Sequence, residues 1–133
     1  LHWIESVSNP KPVRSVYGDE LPTLENVRIE EICLHPNGPT LRLRFDLSLF
    51  PKTPPAKWVR EDMNTIQLEL SLGGLHEISI NRISRNSFCD LKINRDDRNM
   101  LHFSAESETV ELQGVADEAT ILRVSAYQQS ITE

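Results

Sequence analysis

Long hydrophobic runs are missing from this sequence. The longest, Ile32-Cys33-Leu34, has three residues, whereas a membrane-spanning helix needs about 20. An excess of positive charge is missing too. Against 14 Lys and Arg stand 20 Asp and Glu, a net charge of −6. Non-specific nucleic-acid binding draws on a basic face that releases counterions. The charge balance therefore argues against a nucleic-acid partner but not against a basic protein partner. Only Cys33 and Cys89 are available for sulfur chemistry. Two cysteines do not make a disulfide framework, and both are read as reduced thiols. Residues 1–5 show no basic segment leading into an apolar one, so no signal peptide is expected. Together these features predict a cytoplasmic protein with no membrane contact. Hydrophobic residues still make up 38% of the 133-residue chain. That is enough to fold, and the length suits one domain.

What is present is period two. Leu41, Leu43, Phe45, Leu47 and Leu49 alternate with Arg42, Arg44, Asp46 and Ser48. This predicts a half-buried strand with one wet face. Ile66, Leu68, Leu70 and Leu72 repeat the pattern. Shorter copies follow at Ile78 and Ile80, Leu91 and Ile93, Leu101 to Ala105, and Val110 and Leu112. The last is Leu122, Val124 and Ala126. An eighth strand comes first, where Val27 and Ile29 are out of phase with Ile32 and Leu34. Either a β-bulge near Glu30 and Glu31 restores the phase, or the strand is buried on both faces. Asn37-Gly38-Pro39 and Gly73-Gly74 both read as hairpin turns. The fold class expected is all-β: an antiparallel sandwich or flattened barrel of about eight meander-connected strands. A short helix is expected over 1–9, ended by Asn9-Pro10, then an arm over 10–25 pinned by Leu21 and Leu24, then strands over 26–128.

Chemistry is thinly represented. His2, His35, His76 and His102 have no spacing suited to zinc and read as solvated. Asp96 and Asp97 lack the EF-hand pattern, and Arg95 and Arg98 are read as neutralising them. There is no nucleophile elbow and no glycine-rich phosphate loop. Thus no catalytic residue, cofactor or metal ligand is assigned, and the protein is not expected to be an enzyme. Trp58, in a loop stiffened by Pro51, Pro54 and Pro55, reads either as a binding hot spot or as a plug of the core.

The segments Val16-Tyr17-Gly18-Asp19-Glu20-Leu21-Pro22-Thr23-Leu24, Val27-Arg28-Ile29 and Gly38 to Asp46 occur in order. They lead into Pro54-Pro55-Ala56-Lys57-Trp58 and Asn64 to Leu68. In order and spacing, from Trp3 to about Tyr127, the chain resembles the immunity protein 50 family of bacterial polymorphic toxin systems. The resemblance implies a cytoplasmic antitoxin that binds and blocks a toxin domain encoded beside it. It carries over no catalytic residues. The acidic balance suits a basic toxin such as a nuclease. The partner-binding residues expected are Asp19, Glu20, Trp58, Glu106, Glu108 and Glu111; for the charged ones, an ordinary solvated face is the competing reading. A β-sandwich module binding lipid, sugar or calcium is the alternative function. Monomer and homodimer are both left open.

Overall fold

A computed structural model describes residues 2–130. The apolar alternation is realised as eight strands: β1 (Val27–His35), β2 (Thr40–Asp46), β3 (Thr65–Gly73), β4 (Glu77–Arg82), β5 (Phe88–Arg95), β6 (Leu101–Glu106), β7 (Glu111–Ala116) and β8 (Glu118–Tyr127). They form one antiparallel sheet in the order β4-β7-β6-β5-β1-β2-β3-β8. The all-β expectation and the strand number hold.

Two meanders, β1-β2-β3 and β5-β6-β7, make up the interior of this order. They meet at only two residue pairs, Val27 with Cys89 and Arg28 with Phe88. The sheet is thus two four-stranded halves joined at a narrow seam. Leu41, Leu43, Phe45 and the Ile66–Leu72 series from one half share a single buried cluster with Leu91, Ile93, Leu101, Phe103 and Leu112 from the other.

The bulge expected in β1 is present. Ile29 faces Phe45 but Glu31 faces Arg44, so Glu30 is the extra residue. A second bulge, in β8, was not anticipated. Glu69 faces Arg123 while Leu70 faces Ile121. Leu122 is therefore the extra residue and half exposed, and Ala119 and Ile121 are buried in its place. The expected face Leu122-Val124-Ala126 is corrected accordingly.

Other expectations also change. Gly38, at φ +87°, does turn β1 into β2. Gly73-Gly74 does not make a hairpin, because β4 pairs with β7 and not with β3. Gly74 has φ +62°, and a Cβ there would lie 2.1 Å from the Asp117 carboxylate. The glycine lets the chain leave one half of the sheet for the other. The long strand over Leu41–Leu49 ends at Asp46. Leu47 is still buried, while Leu49 is exposed. Before Pro10 the chain makes only a 3-10 turn, Trp3–Ser6. The α-helix, α1 (Lys11–Tyr17), comes after it, inside the expected arm, with proline in its first turn. That position suits a residue that has no N–H to give. A second short helix, α2 (Ala56–Arg60), follows Pro55.

The arm is pinned as expected. Leu24 is buried, and Trp3 Nε1 donates to the Pro22 carbonyl at 2.8 Å. Residues 7–9 cover the start of the outer edge of β8. Ser8 N donates to Ala119 O at 2.8 Å, and the Asn9 side chain bonds both the N–H and the C=O of Ile121.

Candidate partner-binding surfaces

The expected partner-binding residues fall into two separate groups. The first is built on the β6–β7 hairpin. Asp90, Glu106 and Glu111 stand in one cross-strand row, since Asp90 pairs with Glu106 and Glu106 with Glu111. Their sequence neighbours Leu91, Ala105 and Leu112 are buried, so the carboxylates occupy the wet face. Glu108 sits in the connecting turn. Ser107 Oγ shapes that turn by accepting from the Thr109 and Val110 amides at 3.2 and 3.1 Å. Thr109 Oγ1 ties it to Asn86 O at 2.7 Å. Like charges directly opposite one another destabilise a sheet. Only Glu111 has a counter-ion, Arg82 at 3.7 Å. Among the described residues Glu106 and Glu108 have none.

The second group surrounds the loop between β2 and β3. Asp19 and Glu20 follow Gly18, which ends α1 with a positive φ. Lys52 Nζ lies 2.7 Å from Glu20 Oε2. That bond, with the charge of Glu20, holds the lysine above its usual pKa. Trp58 is half buried against the core. Its ring lies 6.4 Å from that of Phe50, tilted by 51°.

A third polar cluster was not foreseen. Asp46 is buried on the face of β1-β2-β3-β8 away from the core. Its carboxylate accepts from Tyr127 Oη at 2.5 Å and Gln67 Nε2 at 3.1 Å, and pairs with Arg28 at 3.3 Å. Arg44 donates to Gln67 Oε1 at 3.3 Å. The sequence placed Asp46 on the wet face, correctly, but gave no sign that Tyr127 would fold over it. Burial, then Asp46, raises the Tyr127 pKa. Burial alone raises that of Tyr17, whose hydroxyl donates to Leu49 O at 2.5 Å. Both raised values favour the protonated fold. That stability is complete below the ordinary tyrosine value of 10.0 and is lost as pH rises through the folded values. Urea midpoints are expected to fall above about pH 10, and a midpoint unchanged in strong alkali would contradict this.

Two of the histidines expected to be solvated are paired. His76 Nε2 is 2.7 Å from Asp117 Oδ1, and His102 Nε2 is 2.6 Å from Asp96 Oδ2. His102, with the Met100 and Arg98 amides, holds the Asp96 carboxyl below its usual pKa. Arg95 does not neutralise Asp96. It donates to the carbonyls of Asn99 and Asp117 at 2.8 and 3.0 Å. A hollow of about 430 Å³ crosses the wet face of β4, β7, β6 and β5, lined by Ser79, Lys92, Asn94, His102, Ser104 and Gln113 among others. Among the described residues, no three His, Cys, Asp or Glu side chains converge to hold a metal ion. No described helix is long and apolar enough to cross a membrane. Cys33 and Cys89 are free thiols. Burial, then Asp90, pushes the Cys89 thiol up to about 11.

Comparison with known families gives one match: the model for immunity protein 50 matches residues 9–127. No curated protein and no solved structure matches the chain.

Proposed function

The chain belongs to the immunity protein 50 family, and from that premise we propose that it neutralises a cognate toxin domain by occluding it in a one-to-one complex. The observation that carries the contact surface is the carboxylate row Asp90-Glu106-Glu111 with Glu108 beside it. A row of like charges costs the isolated sheet stability. A basic partner would turn that cost into attraction and would speed encounter. The toxin that fits is therefore basic, as a nuclease would be. Inhibition of this kind requires no chemistry from the inhibitor, no cofactor and no metal. It takes place in the cytoplasm, where the toxin is made. Asp19, Glu20 and Trp58 form a second contact area beside the Phe50–Lys52 segment. Its charge is weaker because Lys52 already offsets Glu20.

The test uses the toxin domain encoded beside this chain. Co-expression is expected to abolish its killing, and a sizing column should show a one-to-one complex. The triple variant E106K/E108K/E111K is expected to weaken binding on the order of 100-fold and to flatten its salt dependence. D19K/E20K should have a smaller effect. Equal killing with and without the chain, and no complex, would sink the proposal.

A further inference from the structure

Three strand edges of the sheet are treated differently, a fourth being that of β5 beyond Cys89, where Leu91 N donates to Leu24 O at 2.9 Å. The outer edge of β8 is covered at its start, Ala119–Ile121, by residues 7–9. The outer edge of β4 is interrupted by a bulge between Ile80 and Arg82, a device that discourages strand addition. The third edge is the far half of β1. Its pairing with β5 stops at Arg28, and Ile29 N reaches only to Ser87 O, at 3.2 Å. Beyond the bulge, Glu31 to His35 pair regularly with β2. Among the described residues, this stretch has no backbone partner on its other side.

That edge is self-complementary. Place a second copy antiparallel to it about a two-fold axis at Cys33. Ile32 then faces the partner's Leu34, and Glu31 faces the partner's His35. Cys33 faces its own counterpart. The axis at Cys33 pairs residues of equal phase, so apolar meets apolar and polar meets polar. Leu34, which continues the core phase of Ile32, is 51% exposed in the isolated chain and would be covered. Glu31, held only loosely by Arg44 at 3.7 Å, would gain an imidazole across the axis. Pairing would stop where Glu30 meets the partner's Pro36, which has no N–H to donate. A hollow of about 330 Å³ between Glu30–Ile32 and the crossing segment Ile83–Ser87 leaves room for the end of the incoming strand.

We propose that the chain forms a two-fold homodimer through its β1 edge, centred on Cys33. The two β1-β2-β3-β8 halves then make one continuous eight-stranded sheet. Directly opposed residues in antiparallel strands have Cα atoms about 4.5 or 5.5 Å apart. Either spacing lies within the range a disulfide spans, so the two Cys33 thiols report on the pairing.

The test is sedimentation of the full chain over a wide concentration range, with no toxin present. The mass is expected to rise from 15.2 kDa towards twice that value. L34K should be monomeric throughout, with the melting temperature of the wild type at dilutions where that too is monomeric. L122K, at another half-exposed leucine, should dimerise normally. E31K should weaken the dimer about tenfold, and adding H35E should restore it. Oxidised glutathione should cross-link the wild type but not C33S. A wild type that stays monomeric, L34K and L122K behaving alike, or failure of the charge swap to restore pairing would each overturn the proposal. Because the assay omits the toxin, its outcome is separate from that of the immunity reading.

Discussion

Phe45→Ala is expected to cost about 3–5 kcal/mol of folding free energy. Phe45 is fully buried near the end of β2, facing Ile29 on one side and Leu68 on the other. Removing its ring loses the transfer free energy and leaves a void that the strands on either side cannot close without breaking their ladders. Domains of this size are stable by only about 5–15 kcal/mol, so one substitution removes a large fraction. Urea unfolding should show a lower midpoint at an unchanged slope. Leu122→Ala, at the exposed bulge position, should stay within about 0.5 kcal/mol of wild type. If Phe45→Ala cost less than the surface control, the core would be placed wrongly.

Asp46→Ala is expected to cost about 3 kcal/mol, by leaving its partners unmatched. The Arg28 guanidinium would lose a counter-ion at 3.3 Å, and Gln67 and Tyr127 would each lose an acceptor. The same variant separates this account from a general loss of packing. Asp46 helps to raise the Tyr127 pKa, after burial itself. Its removal should move that phenol's ultraviolet titration down towards the ordinary value, while Tyr17, raised by burial alone, stays where it is. Unchanged stability with an unmoved Tyr127 would show that the cluster holds nothing together.

Alternation in the sequence revealed the strands because burying one face of a sheet imposes period two. It also exposed the β1 bulge, where Val27 and Ile29 fall out of step with Ile32 and Leu34. The β8 bulge gave no such signal. Leu122 is apolar, so it blends into the face it leaves. Period two states which way a side chain points and says nothing of which strand lies alongside. Gly73-Gly74 therefore looked like the turn at Asn37-Gly38, although it carries the chain across to β7. The helix at Lys11–Tyr17 was hidden for a different reason. Pro10 read as the end of a helix, although proline is at home around the start of one, and Pro12 sits in the first turn of α1.

The binding surfaces follow the same division. Glu106 and Glu111 were legible as part of an acidic stretch, but their opposition across the β6–β7 hairpin comes only from the strand pairing. The sequence also singled out Asp19 and Glu20, but it could not show that Lys52 stands beside Glu20. The Asp46 cluster joins residues from β1, β2, β3 and β8, and its members Asp46 and Tyr127 are 81 positions apart. Only the strand order brings them together.

The covering of the start of the β8 edge by residues 7–9 has a consequence for synthesis. Residues 7–9 leave the ribosome before the strand they cover, which comes more than a hundred residues later. Until β8 emerges, β3 has no outer neighbour and the early segment has nothing to clasp. A nascent chain stalled before residue 118 would carry an exposed β3 edge rich in leucine. Completing β8 and its clasp is thus the step after which the nascent chain no longer offers the β3 edge to chaperones or to other chains.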